Sequence, residues 1–121
     1  ILLIEAALAK ALDKVEAQWD PRPSLGVVIA SGGYPADYSA GHEIKGLDAA
    51  AQLEGKVFHA GSSLKDGKII NTGARVLCAT AMGDSVAEAQ ANAYKLAEKI
   101  SWEGSFYRKD IGYRAIAREQ Q

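Results

Sequence analysis

The apolar run Leu25-Gly26-Val27-Val28-Ile29-Ala30, closed by Gly32-Gly33-Tyr34-Pro35, constrains the fold more than any other stretch of this 121-residue chain. An unbroken apolar run ended by two glycines and a proline predicts a strand buried on both faces that runs into a tight loop. Glycine admits positive φ and a close backbone or ligand, and Pro35 fixes one φ angle. A loop of that kind at the end of a buried strand needs something packed against it. The length suits one domain with a core of its own, without metal or disulfide staples.

The flanking patterns supply the rest of the architecture. Ile4, Leu8, Leu12 and Val15 recur at three- and four-residue spacing, which predicts a helix over residues 1–18, ended by Asp20-Pro21-Arg22-Pro23. No Ser, Thr, Asp or Asn precedes its first turn, so the chain is expected to be a piece of a longer polypeptide. Residues 36–45 are polar and irregular, and a short helix is expected over 48–53 with Asp48 as its cap. Lys56-Val57-Phe58-His59-Ala60 and Lys68-Ile69-Ile70-Asn71 read as the two strands of a hairpin turning at Asp66-Gly67. Residues 75–82 form a further, mostly buried strand. Ser85 and Glu88 make a capping-box pattern ahead of a helix that carries Val86, Ala89, Ala93, Leu96 and Ile100 on one face. A last helix is expected over 110–118, capped by Asp110. The sum is an α+β domain, a mainly antiparallel sheet with flanking helices.

Composition excludes several classes. Fourteen Lys and Arg against fifteen Asp and Glu leave a net charge of -1, with no electrostatic footprint for nucleic acid or anionic membrane. No stretch reaches the roughly 18 apolar residues of a membrane helix. The single cysteine, Cys78, cannot form an internal disulfide; this favours a reduced, cytoplasmic setting and a buried, inert thiol. Gly61 to Lys68 has the look of a phosphate-binding P-loop, but five residues separate Gly61 from Gly67 and Ile69 stands where Ser or Thr would hold magnesium. His42 and His59 lack the neighbours of a metal site, and His59 reads as a hydrogen-bonded core or edge residue. No catalytic residue and no metal ligand is assigned.

Two clusters leave more room. Arg75 follows Asn71-Thr72-Gly73-Ala74 and opens an apolar strand, where a guanidinium is suited to bidentate capture of phosphate or carboxylate. An arginine paired with an acidic neighbour, or solvated, is the other reading. Arg108-Lys109-Asp110-Ile111-Gly112-Tyr113-Arg114 is either an anion-binding corner or a helix start with solvated charges.

Taken in order, Leu25 to Pro35, Lys56 to Gly61, Gly73 to Cys78 and Arg108 to Ile116 resemble the C-terminal domain of phosphoribosylamine–glycine ligase, also called glycinamide ribonucleotide synthetase. The pattern from Ser85 to Tyr94 falls between the last two segments in the family's order. The resemblance implies an ATP-grasp ligase of purine biosynthesis that joins glycine to 5-phosphoribosylamine, giving glycinamide ribonucleotide, ADP and phosphate. ATP and Mg²⁺ are implied for the full-length enzyme, bound by a core that this chain lacks. Residues 1–20 then correspond to a linker helix and 21–121 to the C-terminal domain, inactive alone and partnered by the missing core of the same polypeptide. Related enzymes hold a ribose phosphate with an arginine at the start of the equivalent strand, which implies a substrate contact for Arg75 beside Gly73. Those relatives often carry a second basic residue where this chain has Ala74. Gly32, Gly33, Tyr34 and Pro35 are implied to pack near the active site, and Tyr113 matches a bulky aromatic expected to pack. The alternative is a non-enzymatic binding or assembly module of the same fold.

Overall fold

The computed structural model describes residues 1–121. Helices α1 (Leu2–Leu8), α2 (Leu47–Ala51), α3 (Val86–Lys99) and α4 (Tyr113–Glu119) accompany strands β1 (Ser24–Ala30), β2 (Lys56–His59), β3 (Ser62–Lys65), β4 (Lys68–Asn71) and β5 (Arg75–Met82). β5 is the axis of the molecule, flanked antiparallel by β1 on one side and β2 on the other. β3 and β4 form a separate two-stranded hairpin.

Register decides what is buried. Leu25 lies opposite Ala81, Val27 opposite Ala79 and Ile29 opposite Leu77, so these six share one face of the sheet. α3 lays Ala89, Ala93, Leu96 and Ala97 onto that face, and small alanines let the helix come close. The far face is open. Val28 and Phe58 both lie opposite Cys78, forming one row across three strands. In that row Val28 is 44% and Phe58 53% exposed, with Cys78 half-buried between them. β1 is therefore buried on one face, not both, and Cys78 is not the enclosed thiol the sequence suggests.

The leading segment departs most from expectation. Instead of one helix over 1–18, α1 ends at Leu8, Lys10 takes φ 54°, and a 3-10 turn covers Leu12–Lys14. The reason is a lack of cover: Leu2, Ile4 and Leu8 are 77%, 66% and 82% exposed. A helix shorter than about 12–15 residues is marginal when its apolar stripe packs on nothing.

The hairpin is also reassigned. Asp66-Gly67 does turn the chain, with Asp66 at φ 50° and Gly67 at φ 74°, but it joins β3 to β4 with Lys65 opposite Lys68. A two-residue turn fixes its own neighbours as partners. β2 is thus free to pair with β5 instead.

Helix caps shift as well. Gly46, not Asp48, precedes α2, and Gly112, not Asp110, precedes α4. The Asp110 carboxylate instead accepts from the Arg108 guanidinium at 2.9 and 2.7 Å. At α3 the Glu88 N–H donates to Ser85 Oγ at 3.1 Å, while the Glu88 carboxylate reaches back to the Asp84 N–H rather than to Ser85. Glu119 of α4 accepts from the Val86 N–H, tying the last helix to the first turn of α3. No helix is long and apolar enough to cross a membrane.

Candidate functional site

Arg75 sits at the mouth of β5, opposite Ala30, where the pairing of β1 and β5 shifts register. Its side chain is exposed. The ion pairs of the molecule are Arg22–Asp20, Lys68–Glu43 and Arg108–Asp110, with His42 Nδ1 also 3.6 Å from the Glu103 carboxylate, and Arg75 belongs to none of them. The guanidinium is thus a charge with its donors still available. Beside it lies an open groove of about 470 Å³, whose wall includes Val28, Gly61, Gly73 and Cys78. Cationic mouth and apolar floor meet in one depression.

Gly73 has a packing reason to be glycine. A methyl group there would lie 3.1 Å from Gly61 Cα, closer than carbon atoms settle, and the Thr72 and Gly73 N–H groups both donate to the Gly61 carbonyl. That clamp holds Gly73, two residues before Arg75, against Gly61, just past the end of β2.

The Gly32-Gly33-Tyr34-Pro35 loop flanks this mouth. Gly33 takes φ 97°, and a Cβ there would fall inside the Asp37 carbonyl, so only glycine makes the turn without strain. Gly32 packs on the backbone of Gly104, and the Tyr34–Pro35 peptide is cis. Residues 33–40 are exposed, so the loop's outer side has no cover within the chain.

A buried amide joins the two loops. Asn71 is fully buried; its Nδ2 donates to Ser31 Oγ at 2.8 Å and to the Ser39 carbonyl at 2.7 Å, and its Oδ1 accepts from the His42 N–H at 2.7 Å. Ser31 Oγ passes the connection on, donating to the Gly73 carbonyl at 2.8 Å. His42 Nε2 lies 2.7 Å from Ser39 Oγ and His59 Nδ1 2.6 Å from Ser62 Oγ, so each histidine is engaged locally. His59 is exposed on the edge strand rather than in the core.

The basic corner near the C-terminus resolves as structure. Gln90 and Tyr94 of α3 hold its backbone, with Gln90 Nε2 donating to the Ile111 carbonyl at 2.6 Å. The Arg108 hydrogen bonds hold the Asp110 carboxyl below the usual carboxylate range and raise the guanidinium in turn. Tyr113 is 52% exposed beneath the Arg114 guanidinium, not packed in the core. Ser31 and Asn71 show in the sequence only as polar residues at the end of an apolar stretch, while Gln90 and Tyr94 carry no local signal within α3.

A sheet backed by one long helix, with a polar-stitched double loop at the mouth of its central strand, defines an α+β domain. The family model described as "Phosphoribosylglycinamide synthetase, C domain" matches residues 24–114. The chain is 73% identical over 120 residues to a phosphoribosylamine–glycine ligase of Pseudomonas putida, covering 99% of this chain and 28% of that relative. A Vibrio vulnificus relative of the same description is 62% identical over 117 residues, covering 96% of this chain and 27% of its own length. A crystal structure of phosphoribosylamine–glycine ligase from Thermotoga maritima superposes with a TM-score of 0.70 at 37% identity, over 89% of this chain and 27% of that one. The chain belongs to the phosphoribosylglycinamide synthetase C-domain family. It spans just over a quarter of the length of these relatives.

Proposed function

We propose that this chain works as the C-terminal domain of a cytoplasmic ATP-grasp ligase that joins glycine to 5-phosphoribosylamine, giving glycinamide ribonucleotide, ADP and phosphate. The observation that carries the reading is Arg75: an exposed guanidinium without an ion-pair partner, held at the mouth of β5 beside a groove. Its role is to grip the ribose phosphate of the substrate by charge-assisted hydrogen bonds, with Gly73 allowing close approach.

The residues present do not fit Mg²⁺. No group of three or more His, Cys, Asp and Glu side chains is placed to hold a metal ion, and the acidic groups near the groove are absent. In this reading the remainder of the ligase holds nucleotide and metal, and this domain contributes substrate contact and closure. Two apolar surfaces support that partnership: the Val28–Cys78–Phe58 row and the uncovered stripe of α1. Residues 1–20 serve as the connection and 21–121 as the domain, with the Gly32–Pro35 loop turned toward the active site.

The test is turnover. The 121-residue chain alone should form no glycinamide ribonucleotide from ATP, glycine and phosphoribosylamine, while the complete ligase should. Turnover by the chain alone would overturn the division of labour.

A further inference from the structure

We infer that Asn71 is a positioning residue that sets the glycine loop and the Arg75 turn in one fixed relation, and so tunes the affinity of the ligase for its ribosyl-phosphate substrate. The inference rests on the substrate contact proposed for Arg75.

The geometry is specific. Asn71 closes β4 but points its amide into the interior, where it is fully buried and uses both donors and its acceptor. Each bond reaches a different piece of irregular chain: Ser31 at the end of β1, Ser39 beyond the glycine loop, His42 at its return. Its backbone joins in as well, with Asn71 N–H donating to the His42 carbonyl at 3.0 Å and Gly41 N–H to the Asn71 carbonyl at 2.8 Å. The amide orientation is set by chemistry, because a carbonyl must face a donor and a backbone N–H must face an acceptor. Through Ser31 Oγ the network reaches the Gly73 carbonyl, two residues before the guanidinium. Ser31 N–H also donates to the Ala74 carbonyl at 2.9 Å.

The stretch from residue 32 to residue 42 contains no helix and no strand. Turn hydrogen bonds such as Ala36 N–H to the Gly33 carbonyl and Ser39 N–H to the Gly32 carbonyl shape it locally, and the buried amide ties it to β1 and β4. Neither Asn71 nor Ser31 is exposed, so neither can touch substrate, and each acts through the backbone it holds. Removing the amide takes one hydrogen-bond partner each from Ser31 Oγ, the Ser39 carbonyl and the His42 N–H, which loosens both loops while α3 and the β1–β5 core keep their packing.

The experiment compares Asn71→Leu, Ser31→Ala and Arg75→Ala in the complete ligase, by steady-state kinetics and by amide hydrogen exchange. For Asn71→Leu the KM for phosphoribosylamine should rise about 10-fold, with kcat and the KM for ATP within about twofold of the parent. Peptides covering residues 31–42 should exchange about 100-fold faster, and those covering 86–99 unchanged. Ser31→Ala, which keeps two of the three amide bonds, should show the same pattern more weakly and serves where Asn71→Leu does not fold. An Arg75→Ala effect on KM without any effect of the other two overturns the inference and spares the substrate contact. A uniform fall in kcat and all affinities with exchange accelerated throughout also overturns it, since that marks a general loss of stability. An unchanged KM in Arg75→Ala removes the substrate contact, and the tuning role with it. The exchange data then separately report whether Asn71 orders the loops.

Discussion

The Tyr94 hydroxyl donates to the Arg108 carbonyl at 2.6 Å and in turn accepts the Ile111 N–H at 3.1 Å. One side chain of α3 thus fixes the turn that leads into α4. A sequence search for charge patterns stops at the arginine, lysine and aspartate of this segment, yet the neutral phenol holds its backbone. Tyr94→Phe removes both bonds and keeps the ring. With one of them solvent-exposed, the expected loss is about 1 kcal/mol, or a Tm lower by roughly 4–6 °C. An unchanged thermal transition would show that the turn is held by packing alone.

Glu119 is the corresponding tether from the last helix. Its carboxylate lies 2.9 Å from the Val86 nitrogen through both oxygens, at the positive end of α3. Glu119→Ala should cost about 0.5–1 kcal/mol, and Glu119→Gln less, because the amide oxygen still accepts. Urea unfolding of the two variants distinguishes them; equal midpoints for Glu119→Ala and the parent would dismiss the tether.

At Gly33 the limitation is backbone shape. Its positive φ and the adjacent Asp37 carbonyl leave no room for a side chain. Gly33→Ala should displace the loop at a cost of about 1–2 kcal/mol. In the complete ligase the measurement is KM for phosphoribosylamine, expected to rise, against Gly41→Ala as a control. Gly41 also has positive φ but open space around it. Equal effects of the two would attribute the loss to backbone strain alone.

The Arg108–Asp110 pair gives a pH dependence of defined sign. The folded carboxyl lies below its ordinary value, so the pair's contribution is complete above the unfolded-state pKa of about 3.9 and disappears as pH falls through the folded one. Both side chains are solvent-exposed, so the effect on stability is small. An NMR titration of the Asp110 carboxyl should place its midpoint below the ordinary aspartate value of about 3.9, and Arg108→Ala should return it toward that value. A midpoint at the ordinary value in the parent would remove the pair.

Long, strongly patterned elements were legible in the sequence. β5, β1 and α3 appear where apolar runs and helical spacing put them, because each pattern is satisfied by the same sheet–helix core. Short elements were not. Ser62-Ser63-Leu64-Lys65 has no β-branched residue, and it becomes a strand only because the Asp66-Gly67 turn delivers it to β4. The leading helix is shorter than its periodicity predicts because its apolar stripe packs on nothing within the chain. At the candidate site Arg75 and Gly73 could be singled out locally, since charge and glycine announce themselves. Asn71 could not. Its burial depends on residues 31–42, which lie some thirty to forty positions away in the chain.

The most direct measurement of the central claim is the KM for phosphoribosylamine of Arg75→Ala in the complete ligase. A bidentate contact between guanidinium and phosphate is worth about 1.5–3 kcal/mol, so the KM should rise about 10- to 150-fold while the KM for ATP stays put. A KM equal to that of the parent would return Arg75 to the solvated surface and contradict the account.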